Sequence, residues 1–195
     1  FNVTPANNVV FFGSSAATVL TASSTTLTVL TPYGASYQYI SVTNLDYNTT
    51  GYSARPFVVT YPSSSGTLNQ LAPAMTLSAG SDPRQHVVKD FNGDNKPDIA
   101  VVNYTGQTIL LFTNTSPAVG SSISFTMQTI SLAGVGSTAL ATDDFDGDGK
   151  PDLAVYITDG STLRVYKNVS TIGGSVSFTN TGLSLATLAT SYAVA

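Results

Sequence analysis

The chain has 195 residues, enough for one large β domain or two small ones, each able to bury a core. Charged residues make up only 9% of it, against roughly 25% in ordinary soluble domains, so Ser, Thr, Asn, Gly and Tyr dominate the surface. A formal charge of −4 leaves no basic stripe for nucleic acid, no apolar run is long enough to span a bilayer, and the lack of cysteine removes disulfides and thiolate chemistry. All 11 acidic residues are Asp, and without Glu, a favoured residue of helix surfaces, helix is expected to be scarce. A hydroxyl-rich, weakly ionic surface suits a chain exposed outside a cell.

From the amino terminus, short β-branched and aromatic runs alternate with turn residues: Val9–Phe12, Thr18–Leu20, Leu27–Leu30, Tyr39–Val42 and Phe57–Tyr61. Their spacing predicts an immunoglobulin-like β-sandwich over residues 1–62. Pro62–Gly66 cannot hold a ladder, and residues 63–73 read as a linker.

The remainder, 74–195, contains an internal repeat. Lys89–Val101 returns as Asp143–Val155, with Asp90 and Asp144 set 54 residues apart. Leu110–Ser116 returns at the same offset as Arg164–Ser170, and Ser124–Thr126 returns one residue early as Ser177–Thr179. Two units, about 74–130 and 131–187, are expected to be antiparallel β repeats of the propeller-blade type, which cannot bury both faces alone. Ser191–Ala195 aligns with Ser137–Ala141, so a third unit is expected to begin there. The chain starts at Phe1 and is read as part of something longer, or as one whose missing surfaces come from neighbouring copies.

Each repeat opens on a loop with oxygen-bearing side chains at positions 1, 3, 5 and 9: Asp90, Asn92, Asp94 and Asp98, then Asp144, Asp146, Asp148 and Asp152. That is a pattern for a hard cation, and Ca²⁺ takes about six to eight oxygens from carboxylates, amides, carbonyls and water. Lys96 and Lys150, at position 7, are expected to offer their carbonyls while their ammonium groups reach solvent. Gly93, Gly147, Gly149 and the tolerant Asn95 permit the positive φ of such a turn. Crowded carboxylates repel one another unless a cation neutralises them, which weighs against a mere solvated turn. An EF-hand is excluded, because its twelfth position needs Glu and here holds Val101 and Val155. Two Ca²⁺ ions would bring the charge of −4 near neutrality, and the four-carboxylate second loop should bind the tighter.

The segments DFNGDNKPDIAVV and DFDGDGKPDLAVY resemble the FG-GAP and VCBS-type repeats of bacterial surface proteins, relatives of the integrin propeller blade. The resemblance implies calcium ligation by the loop residues named above. The first part, from Asn2 to Asn44 with Arg55–Tyr61, resembles an IPT/TIG domain, an immunoglobulin-like fold of extracellular proteins whose first strand would lie upstream of Phe1. Together these resemblances imply a secreted or cell-surface module used in adhesion or structure, with no shared active site.

The other residues add little chemistry. His86 aligns with Leu140 and reads as a strand position, and Asp46, Asp82 and Asp159 are spare carboxylates without a motif, so no enzyme is expected. The ten Tyr and nine Phe read as packing residues before a sugar-binding face. Asn2, Asn48, Asn103, Asn114 and Asn168 each begin an Asn-X-Ser/Thr triplet. The expected role is a calcium-stiffened structural or adhesive module. The incomplete sandwich and the tail Leu183–Ala195 invite strand addition between copies into a filament, and the alternative is a module that binds a glycan or protein ligand.

Overall fold

The computed structural model describes residues 1–59, 74–117, 123–158 and 162–186. The expected linker 63–73, the end of the Phe57–Tyr61 run, Asp159 and the tail beyond residue 186 lie outside the described residues. Among those described, the chain is all-β with antiparallel pairing, as expected, and carries one short 3₁₀ turn, Pro5–Asn7. No helix among them is long and apolar enough to cross a membrane.

The amino-terminal strands are β1 (Asn8–Phe12), β2 (Ser15–Ala22), β3 (Leu27–Leu30), β4 (Ile40–Asn44) and β5 (Thr49–Tyr52). Instead of the two facing sheets of a sandwich, they form one five-stranded sheet in the order β3-β2-β1-β4-β5. Alternation along β1 places Val10 and Phe12 on one side, where they pair with Val42 and Ile40. The strands flanking β1 and β4 supply too little apolar surface for a second layer of strands: Leu20 of β2 and Leu30 of β3 are exposed, as is all of β5. The cover over Phe12 is instead irregular chain. The Phe57 ring meets it edge-on with centroids 4.8 Å apart, and Phe57 N–H donates to the Gln38 carbonyl at 2.7 Å. Residues 57–59 form no strand, and Pro56 beside them has no N–H to give to a ladder.

Two four-stranded meanders follow: β6 (Pro83–Lys89), β7 (Asp98–Asn103), β8 (Thr108–Asn114) and β9 (Phe125–Ser131), then β10 (Ser137–Asp143), β11 (Asp152–Ile157), β12 (Thr162–Asn168) and β13 (Phe178–Ala186). Lys89 pairs with Asp98 and Asp143 with Asp152, so each acidic loop closes the first hairpin of its sheet. His86 lies in β6 opposite Val101 and is exposed, a strand residue as its place in the repeat implies.

The sheets stack on a shared core. Ala100, Val102, Ile109 and Leu111 of the first sheet meet Leu140, Leu153, Val155 and Ile157 of the second, and burying such side chains contributes about 1.5–3 kcal/mol each. Leu153 and Val155 are the repeat equivalents of Ile99 and Val101, which lie on the opposite side of the first sheet with Leu110, Phe112 and Leu77. The front of one sheet therefore packs on the back of the next, as blades do in a propeller.

Candidate metal centre

Each acidic loop is organised by its first carboxylate. Asp90 Oδ1 accepts from the backbone N–H of Gly93 at 2.7 Å and of Asp94 at 3.2 Å, while Oδ2 accepts from Asn95 N–H at 2.8 Å. Asp144 does the same in the second loop, accepting from Gly147 and Gly149 at 2.8 Å each. Such bonds need a chain that turns back on itself, and the left-handed residues at the turn are Gly93 (φ 68), Asn95 (φ 68), Gly147 (φ 78) and Gly149 (φ 82).

The last carboxylate is held just as firmly. Asp98 accepts from Phe91 N–H at 2.9 Å and Asn114 N–H at 2.8 Å; Asp152 accepts from Phe145 N–H at 3.1 Å and Asn168 N–H at 2.7 Å. Positions 1 and 9 are thus fastened by the backbone of the loop and of the third strand. Position 5 is freer. Asp94 and Asp148 accept from Lys96 and Lys150 N–H, at 3.0 Å in each loop.

In the second loop Asp144, Asp146 and Asp152 bring ligand oxygens within 4.8 Å of one another. Asp148 stands outside that group, turned toward Lys167 Nζ at 3.1 Å; the same ammonium pairs with Asp146 and is held well above its usual pKa by these two carboxylates. In the first loop Asn92 donates its side-chain amide to Gly174 O at 2.7 Å. The two lysines at position 7 do not simply reach solvent as expected. Lys150 Nζ donates to Ser170 O at 3.0 Å, just past β12 of its own sheet, and Lys96 pairs with Asp94 of its own loop at 3.4 Å.

Burial strains these carboxylates electrostatically. Asp90 and Asp98 are 0% and 1% exposed, and desolvation pushes them up to about 6 and about 7 against the backbone N–H groups that favour the charged form. Burial likewise raises Asp144 and Asp152. Among the described residues the close convergence is that of the second loop, whose pre-positioned, all-oxygen donor set fits a hard divalent cation such as Ca²⁺, while Asp90, Asp94 and Asp98 of the first loop do not form such a group.

Two features were hidden in the sequence. The first is docking: the amino-terminal sheet rests on the loops. Ala16 N–H donates to Asp90 Oδ2 at 3.2 Å, and Lys89 lies over the Phe11 ring while donating to Gly13 O at 3.0 Å. A Cβ on Gly149 would lie 2.4 Å from Val9, and one on Gly147 would lie 2.6 Å from Asn48. The second is the role of Asn114 and Asn168, whose recurrence one period apart was the available signal. Each donates its side-chain amide to the proline carbonyl of its own loop, Pro97 at 3.1 Å and Pro151 at 2.9 Å. Asn168 is fully buried with both amide hydrogens engaged, so the folded chain presents no amide to a glycan there. The packing expectation for aromatics also needs revision: Tyr33, Tyr37, Tyr39, Tyr47 and Tyr52 are all exposed.

Residues 90–155 match the FG-GAP-like repeat, and residues 136–177 match the FG-GAP repeat. The matches take in both acidic loops and bear out the FG-GAP part of the resemblance. No curated protein and no solved structure matches the chain.

Proposed function

We propose that this chain is an extracellular structural or adhesive module whose stacked sheets are stiffened by two Ca²⁺ ions, one in each acidic loop. Asp90, Asn92, Asp94 and Asp98 with the Lys96 carbonyl would hold one; Asp144, Asp146, Asp148 and Asp152 with the Lys150 carbonyl would hold the other. The observation that carries this reading is the convergence of Asp144, Asp146 and Asp152 within 4.8 Å, repeated in sequence by the buried Asp90 and Asp98. The bound ion supplies positive charge where desolvated carboxylates lack it. The loops also support the amino-terminal sheet, so the ions brace the sheet as well as the blades. The FG-GAP repeat is a structural and binding fold of extracellular adhesion-type modules.

Calorimetric melting with excess Ca²⁺ and with chelator tests this. Each filled site stabilises by about 2.7 kcal/mol at a hundredfold excess over Kd, so the melting temperature should rise on the order of 10 °C. Identical melting curves reject calcium as the brace. Growth into filaments by strand addition has support in the fully exposed edge strand β5. Electron microscopy with Ca²⁺ at high concentration should show it, and monomers alone would remove that part.

A second reading, a glycan-binding module, has one specific support. A cleft of about 510 Å³ between the amino-terminal sheet and the blades is lined by Tyr39 and Tyr52 together with Gln38, Ser41, Lys89 and Thr142, a mixture of ring faces and hydroxyls suited to sugar. A saturable glycan-array signal lost in Tyr52→Ala would favour this reading.

A further inference from the structure

Asn168 lies at the meeting of both acidic loops. It is 0% exposed, and its backbone N–H and both side-chain polar atoms are engaged. One amide hydrogen goes to Phe91 O in the first loop at 2.8 Å and the other to Pro151 O in the second at 2.9 Å. Its backbone N–H goes to the ligand-position carboxylate of Asp152 at 2.7 Å, and its Oδ1 accepts from Ser170 N–H at 2.9 Å. Phe91 is itself placed at a ligand, since its N–H donates to Asp98 Oδ2. The chain that follows Asn168 then clasps the next residue of the first loop: Gly173 N–H donates to Asn92 O at 2.8 Å, and Asn92 donates to Gly174 O.

We infer that Asn168 is a positioning residue that makes the two loops one unit, so that a cation in either loop strengthens binding in the other; this rests on the calcium reading above. The physical argument is shared ordering. A cation seated among Asp144, Asp146 and Asp152 fixes Asp152, hence Asn168, hence the Phe91 peptide and the 168–174 segment that frame Asn92 and Asp98. The first loop then has less freedom left to lose when its own ion arrives, which is positive coupling. By linkage the first ion must favour the second equally. Asn168 would ligate neither ion, and its effect would pass through the hydrogen bonds it makes.

The test uses the whole chain and Ca²⁺ alone. Calorimetry, with backbone amide resonances of Phe91 and Asn92 reporting the first loop, compares wild type with Asp146→Ala/Asp148→Ala, which disables the second loop at two partly exposed positions. Coupling of the usual size predicts that first-loop affinity falls by about 5-fold to 50-fold. Asn168→Ala should bind both ions with affinities that no longer depend on each other. First-loop affinity within twofold of wild type in the disabled variant overturns the inference, as does coupling that survives Asn168→Ala. If Asn168→Ala does not fold, the wild-type Asn168 side-chain amide resonance decides: it should move when the first loop fills in the Asp146→Ala/Asp148→Ala variant, and an unmoved resonance overturns the proposal. No calcium binding by the wild type would instead reject the reading beneath it, and with it the coupling.

Discussion

The two acidic loops carry nearly the same residues in different surroundings. Phe91 of the first is 2% exposed and packs edge-on to Phe178 of the second sheet, whereas its equivalent Phe145 is 49% exposed. The first loop is sealed between the amino-terminal sheet and the second blade, and burial pushes Asp90 and Asp98 well above their ordinary pKa. The second is more open and has a counter-charge, Lys167, where the first sheet has Thr113. A ligand pattern is thus local to nine residues, but its electrostatic cost is set by what packs around it.

The sharpest way to break this comparison is pH. In chelator, Asp90 and Asp98 titrate near 6 and 7 when folded and near 4 when unfolded, so the native state holds the extra protons between about pH 4 and 7. Stability of the metal-free protein should therefore rise as pH falls from 8 to 5, on the order of 4 kcal/mol by denaturant unfolding. With Ca²⁺ present the trend should reverse, because protons then compete with the ion. A metal-free protein that weakens on acidification would show that the first loop is not strained by burial.

Smaller effects should separate equivalent glycines. Gly93 and Gly147 occupy the same position with φ of 68 and 78, yet a Cβ on Gly93 would come no closer than 3.7 Å to Ile172, while one on Gly147 would meet Asn48 at 2.6 Å. Gly93→Ala should cost about 1 kcal/mol from backbone strain alone, and Gly147→Ala about 2–3 kcal/mol because it also pushes the amino-terminal sheet away. Equal melting temperatures would place that sheet elsewhere in solution. The smallest effect concerns Lys167, which competes for Asp146 and Asp148. Lys167→Met should tighten calcium binding at the second loop about 3-fold to 5-fold, within the range of a surface ion pair, and leave the second loop the tighter site. Unchanged affinity would mean that the lysine moves aside freely.

Much of this architecture was legible in the residues. Alternating β-branched runs, the 54-residue period and the Asp spacing led to an all-β chain with two equivalent loops. Periodicity of two separates the faces of a strand without saying what each face meets. Hence the single amino-terminal sheet, its seat on the loops and the front-to-back stacking all depend on contacts between distant segments. The sandwich expectation counted runs such as Leu27–Leu30 whose apolar residues are exposed in part, and it missed β5, whose Thr49-Thr50-Gly51-Tyr52 has no buried alternation. Asn114 and Asn168 stood out as repeat equivalents and as triplets for glycosylation, but a structural amide leaves the same letters as an acceptor site, so their role in the loops was not legible.

Front-to-back stacking has a consequence for engineering. Residues that align perfectly between the two repeats do not share an environment: Val155 is sealed between the blades, while its counterpart Val101 looks outward toward Leu77. An averaged sequence built from both repeats would therefore mix two different sets of instructions, and idealising this chain requires the inward and outward roles of each strand to be assigned blade by blade.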